Sequence, residues 1–345
     1  QGLPLWKRAT LRAWSSRRTV AAGTRVASVL SAPLRWGVLS GRLRRGEVTP
    51  LPVSTKRTRW RTPPAIPLRP ARARRAGASA PIAVTGVSGR RVLLFLQCLT
   101  DRLLPDVAEA TAALLRAAGA EVVIRQEQHC CGLPAYDGGD WATARRMARQ
   151  TIEAMDGVDD IVTPAPSCVV AMTEGYAQLF ALDEVWAARA KGLSERVHDL
   201  VAYLAGPARL PDGALAAGDR SAVTVHRFCQ SSNVLGAGGA VEELITRLCE
   251  VEVIPLPEAD VCCGFGGFAS VELPEVSAGI LDRKLDCVRE TGAATLVTCN
   301  PGCVMHLRGG AHARGDGPRV VHVAEYLAAR LPAGDSGRGA SGGKV

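Results

Sequence analysis

Eight cysteines in this 345-residue chain fall into two sets with nearly the same spacing. The first set is Cys98, the adjacent pair Cys130-Cys131, and Cys168; the second is Cys229, the pair Cys262-Cys263, and Cys303. The step from lone cysteine to pair is 32 positions in one set and 33 in the other, and the step from pair to last cysteine is 37 and 40. A glycine follows each pair, Gly132 and Gly264, and the second is trailed by Gly266 and Gly267. The last cysteines close matching tetrapeptides, Ala165-Pro166-Ser167-Cys168 and Asn300-Pro301-Gly302-Cys303.

Four thiolates suit zinc or an iron–sulfur cluster. Structural zinc sites usually present two Cys-x-x-Cys knuckles, and neither set has one. Adjacent cysteines sit awkwardly around a single tetrahedral ion, whereas a larger multi-iron cluster can use both. Glycines beside each pair let the backbone approach such a cluster and offer N–H groups to its sulfurs. The spacing therefore favours iron–sulfur, with the type and number of clusters open.

The elements around the cysteines explain how residues so far apart can meet. Arg91 to Leu96 reads as a buried strand leading to Cys98, Glu121 to Ile124 leads to Cys130, and Asp160 to Thr163 leads to Cys168. The order recurs: Ala222 to Val225 before Cys229, Glu252 to Ile254 before Cys262, and Ala294 to Val297 before Cys303. Helical spacing separates the strands: Pro105–Ala118, a helix capped by Asp140 and running to Met155, Ala240–Cys249 and Pro274–Glu290. Alternating strands and helices predict parallel sheets with ligands beyond their carboxyl ends. The expected fold is α/β: two tandem pseudo-repeat domains, each a small mostly parallel sheet with flanking helices. Their bounds are 91–215 and 216–333, between a basic low-order tail at 1–90 and a flexible Gly/Ser-rich end at 334–345.

With those segments in view, the chain resembles the CCG (cysteine-rich) domain family of iron–sulfur oxidoreductases over residues 91–332. The resemblance rests on Gln128 to Tyr136, Pro166 to Met172, Leu256 to Gly267, and Gly302 to His306, and these are most like the family's lactate-utilization members. It implies a cytoplasmic iron–sulfur subunit, with [4Fe–4S] as the expected cluster type, that carries electrons in a complex oxidising L-lactate to pyruvate. Its partners would be the other subunits and a small 2-hydroxy acid substrate. A glycolate-oxidase-type or heterodisulfide-reductase-type complex is the alternative within the family; a zinc-stabilised binding scaffold is the alternative outside it. The fuller family motif ends in Cys-x-x-Cys, and here Ala165 and Asn300 stand where the first cysteine of that pair would be. Cys299 is a candidate substitute, one position early. Arg227, Phe228 and Gln230 also depart from the family's pattern around Cys229.

Other polar residues flank the frame. His129 precedes the first pair, His226 lies three before Cys229, and His306 lies three after Cys303. Each can ligate iron, donate to a cluster sulfur or pack at a strand end. His198 and His322, in Arg-Val-His and Val-Val-His, read as matching repeat positions with a shared structural role. Arg308 is a candidate for a substrate carboxylate. Cys249 and Cys287 fall on amphipathic helices and read as core or surface thiols. The Gly264–Gly267 segment is no dinucleotide fingerprint, and no phosphate-binding Gly-x-x-x-x-Gly-Lys-Ser/Thr loop occurs.

Composition supports two ordinary cores, with 47% hydrophobic residues and no run of 18 apolar ones. The net charge of +9 hides two halves: residues 1–91 carry 20 Lys and Arg and a single acid, Glu47, so the remainder stands at −10. An acidic body argues against nucleic-acid binding by the folded part. The tail reads as a basic arm, an organelle transit peptide, or a start placed upstream of the natural one, and in each case little packed structure is expected.

Overall fold

The computed structural model describes residues 3–30, 67, 70–73, 87–216, 221–315 and 317–332. Its centre is two four-stranded, wholly parallel sheets. The first holds β1 (Arg91–Leu94), β2 (Glu121–Val123), β3 (Asp160–Thr163) and β4 (Val197–Asp199) in the order β2-β1-β3-β4. The second holds β5 (Val223–Val225), β6 (Val253–Ile254), β7 (Thr295–Thr298) and β8 (Arg319–His322) in the order β6-β5-β7-β8. Two parallel sheets with flanking helices are the expected fold.

Local chemistry sets the helices between the strands. Pro105 opens the helix Pro105–Ala117, where its missing N–H costs nothing. Asp140 caps Trp141–Ala154, accepting from the Thr143 N–H at 3.1 Å. The helices Ala240–Cys249 and Pro274–Glu290 fall on the predicted bounds. β3 and β7 are buried along their whole length, as helix-covered central strands must be.

In each sheet the strand order reverses beside the first strand, which pairs on one side with the second and on the other with the third. The crevice beyond the carboxyl ends at such a reversal is where α/β sheets bind ligands. Cys98 and Cys168 follow the two strands that flank it in the first sheet, and Cys229 and Cys303 do so in the second.

One apolar core runs through both repeats. Val92, Leu114, Val162 and Tyr203 of the first share it with Val225, Leu244, Leu296 and Tyr326 of the second. The helix Val323–Ala328 packs on Pro105–Ala117 across the junction. His322 pins the same junction: its Nε2–H reaches Pro164 O at 2.9 Å and Cys299 O at 2.7 Å, and its Nδ1 accepts from the Ala324 N–H at 3.0 Å.

The strand ladders correct the pairing of His198 with His322. Thr163 faces Asp199 and Thr298 faces His322, and Asp199 and His322 each cap the helix that follows. The counterpart of His322 is therefore Asp199. His198 lies 3.5 Å from Asp160 and against the Tyr203 ring.

Within the tail, residues 3–30 and 70–73 are among those described. Helices Leu5–Trp14 and Arg17–Leu30 form, and Leu11 is buried in the apolar cluster of the first repeat that contains Cys130 and Cys131. Lys7 pairs with Glu272 at 2.7 Å. The short turn Ala71–Ala73 sets Ala71 against Leu94, Leu96 and Ala108 and carries Arg72 to the buried Asp101. Apolar spacing at Leu11 and Trp14, masked by the surrounding arginines, was the missed signal. The Gly/Ser-rich end at 334–345 lies outside the described residues.

Candidate metal centres

All eight cysteines of the frame are free thiols, and each set of four comes together. In the first repeat Cys98 hydrogen-bonds with Cys130, Cys130 with Cys131, and Cys131 with Cys168, the last at 3.3 Å between sulfurs. The second repeats the chain of contacts through Cys229, Cys262, Cys263 and Cys303, with Cys263 and Cys303 sulfurs 3.1 Å apart. These separations exceed a disulfide bond by more than 1 Å.

The glycine after each pair bends both cysteines inward. Gly132 and Gly264 share a φ of +93°, open to glycine and strained for other residues. A Cβ on Gly264 would lie 2.6 Å from Ser277 O and 3.2 Å from His306 Nε2. The Gly264 N–H donates to Cys262 Sγ at 3.3 Å, and the Gly132 N–H supports Cys130 in the same way. Gly266 and Gly267 are also left-handed, at φ +51° and +57°, so they shape the turn beyond the pair.

The thiols strongly perturb one another. Cys130 is held well below the ordinary thiol range by hydrogen bonds from Cys131 and Cys98. Those two are pushed well above it, first by their bonds to Cys130 and then by burial. Cys262 is likewise lowered by Cys229 and Cys263, which are raised. Cys303 falls to about 6, chiefly because Cys263 donates to it and then because His226 stands beside it. Four clustered thiols cannot all ionise on their own, since each new thiolate repels the last. A bound cation or cationic cluster relieves that repulsion, and this donor set fits a thiophilic metal.

The two centres differ in surroundings. In the first, Tyr176 OH donates to Cys131 O at 2.7 Å, and Trp14 of the N-terminal helix stands beside Cys98. In the second, Lys284 is almost fully buried and donates to Glu258 O. Burial lowers the Lys284 ammonium from its ordinary range, while Cys287 and Cys263 act the other way. His226 is fully buried, and His226, Cys263 and Cys303 place a potential ligand atom each within 4.8 Å of one another. The ring nitrogens of His226 find no nitrogen or oxygen partner among the described residues, and the ring instead hydrogen-bonds toward the Cys303 sulfur.

The remaining candidates separate. His129 turns its Nε2 to Trp14 O at 2.8 Å. His306 is buried one turn after Cys303, with its ring edge-on to Phe265. Cys299 Sγ lies 3.8 Å from Ser231 Oγ, outside the chain of thiol hydrogen bonds that links the second set, and burial raises its pKa. It does not take the place of the missing cysteine. Asn300 fills that place with an amide: its Nδ2 reaches Cys303 Sγ at 3.8 Å, and its Oδ1 accepts from Ser167 Oγ at 2.9 Å. Arg308 is spent on Val320 O and Glu325, which removes it as a substrate clamp. Cys249 and Cys287 are core thiols. A cavity of about 600 Å³ opens within the second repeat, lined by Arg227, Glu242 and Asp260 among others.

Comparison with known proteins agrees with the duplicated geometry. The family model described as "Cysteine-rich domain" (CCG) matches residues 92–173 and again 223–308. Lactate utilization protein A of Exiguobacterium sp. (strain ATCC BAA-1283 / AT1b) is 35% identical over 238 residues, covering 68% of this chain and 96% of that protein. The proteins of the same name from Geobacillus kaustophilus and Bacillus subtilis are 34% and 32% identical over 240 residues, covering 70% of this chain and 99% and 100% of theirs. Two matched copies of the domain, and relatives spanned almost end to end, place the chain in the cysteine-rich CCG-domain family that includes lactate utilization protein A.

Proposed function

We propose that this chain is an iron–sulfur electron-transfer subunit of a cytoplasmic complex that oxidises L-lactate to pyruvate. The observation that carries the reading is the pair of four-cysteine clusters, each at the carboxyl edge of a parallel sheet. The name shared by the relatives supplies lactate as the substrate. Cys98, Cys130, Cys131 and Cys168 would hold one centre, and Cys229, Cys262, Cys263 and Cys303 the other. When bound, [4Fe–4S] clusters supply one-electron carriers at these positions.

Lactate oxidation releases two electrons and two protons. The chain's own part is to hold the carriers, shield them and set their potentials. Burial of Cys130, Cys131, Cys168, Cys263 and Cys303 keeps water from most of each centre. The N–H groups of Gly132 and Gly264 stabilise negative charge on sulfur, which favours the reduced state. Cys98, Cys229 and Cys262 are the partly exposed members, so electrons enter or leave on their side. The lactate-oxidising chemistry then involves the other subunits of the complex. Among the described residues no helix is long and apolar enough to cross a membrane.

Anaerobic purification of the full chain tests the reading. The expected protein is brown, absorbs near ~400 nm and contains iron and acid-labile sulfide. Cys131→Ser and Cys263→Ser should each lower the iron content, and lactate should bleach the colour once the partner subunits are added. A colourless protein holding zinc alone would overturn it in favour of a structural scaffold.

A further inference from the structure

We propose that His226 is a direct ligand of the second metal centre, so that the duplicated frame holds two chemically unlike sites. The inference rests on the reading of these cysteines as metal ligands and asks which further atom joins them. His226 sits three residues before Cys229, where the chain leaves β5. Its own N–H donates to Val297 O at 2.9 Å. In the first repeat the same backbone bond, to Val162 O at 2.8 Å, is made by Phe95, three residues before Cys98. Phe95 and His226 are thus equivalent, and both are fully buried.

The difference between them is chemical. Phe95 presents a ring with nothing to coordinate. His226 presents two nitrogens that find no nitrogen or oxygen partner among the described residues; its ring leans on the Cys303 sulfur, and potential ligand atoms of His226, Cys263 and Cys303 lie within 4.8 Å of one another. A buried imidazole is normally hydrogen-bonded or bound to metal. Asn300 already serves Ser167 and Cys303, and the imidazole has only the cysteine sulfurs to face. The second centre then has five protein donors, against four thiols in the first.

The experiment uses the full chain, uniformly labelled with 15N-histidine, in a Cys131→Ser/Cys168→Ser background that empties the first site. Iron and sulfide are measured before the pulsed EPR spectrum of the reduced protein. The expected result is a strongly coupled histidine nitrogen that is lost in His226→Gln, per iron retained. A nitrogen coupling that survives His226→Gln, or only a weak coupling that changes in deuterated water as an N–H···S contact would, overturns the assignment. Should the background variant fail to fold, the same His226→Gln difference is read in the otherwise unaltered chain. A protein without iron sinks the iron–sulfur reading separately. His226 is then judged by cobalt(II) loading and X-ray absorption at the cobalt edge: mixed nitrogen and sulfur neighbours support it, and sulfur alone refutes it.

Discussion

Ser167 of the first repeat donates its hydroxyl proton to Asn300 of the second, across 2.9 Å, while the Asn300 amide reaches Cys303 Sγ at 3.8 Å. One buried side chain thus joins the segment just before Cys168 to a sulfur of the other centre. Asn300→Ala should cost about 1–2 kcal/mol, because it removes the bond and leaves Ser167 without its acceptor. A double-mutant cycle with Ser167→Ala should return a coupling of about 0.5–1.5 kcal/mol. Thermal unfolding of the four proteins measures both, and additive effects would show that the two side chains do not interact.

Gly264 is the position where a single methyl group should do most harm. Its φ is +93°, and a Cβ would sit 2.6 Å from Ser277 O. Backbone strain of about 1–2 kcal/mol adds to overpacking of about 1–3 kcal/mol for Gly264→Ala. Gly132→Ala shares the φ but meets Met147 Cβ at 3.2 Å and no backbone atom closer than 3.5 Å, so it should cost less. Urea unfolding ranks them, with Gly267→Ala as a control whose Cβ would meet nothing within 4 Å.

Asp199 gives the stability a pH dependence. Burial raises its carboxyl from 3.8 to about 6, against the pull of the backbone N–H groups it caps. The folded state therefore takes up the proton before the unfolded one as pH falls through 6 toward 3.8. Within that window wild type gains stability on acidification relative to Asp199→Asn, which keeps a capping oxygen. At pH 7 the variant should be the more stable by up to about 3 kcal/mol, and the advantage should vanish near pH 4. A difference that stays constant between pH 7 and pH 4 would refute the account.

Arg72 tests the docking of the N-terminal segment. Its guanidinium meets Asp101 at 2.8 Å, donates to Gln126 O and Gln128 O, and shares Asp101 with Arg102. Arg72→Ala should cost about 1.5–3 kcal/mol, the range for hydrogen bonds to a charged group, since Arg102 still partners the buried carboxylate. Denaturant unfolding of the full chain checks this. No change in midpoint would mean that the turn Ala71–Ala73 contributes nothing to the fold.

The cysteine frame and the strands were legible because they obey one rule. Buried runs such as Asp160–Thr163 end where a metal ligand must begin, and the duplication states the rule twice. The match of His198 to His322 misled because similar wording was offset by one place, and only the ladder fixes which residue faces Thr163 or Thr298. Asn300 read as a lost ligand, since nothing in the chain's order shows that Ser167 lies against it. The difference between Phe95 and His226 was present in the sequence, but its meaning needed the equal backbone bonds to Val162 and Val297. The helix Leu5–Trp14 was hidden by its arginines, although Leu11 supplies the apolar contact that holds it.

The continuous core has a consequence for how the molecule can be taken apart. Val92 and Val162 of one sheet share apolar surroundings with Val225 and Leu296 of the other, and the His322 ring is bonded to the carbonyls of both repeats. Neither half can be cut out and keep its interior dry. The two cysteine clusters are therefore mounted on a single chassis, and the gap between them is fixed by the interior of the protein and not by a hinge.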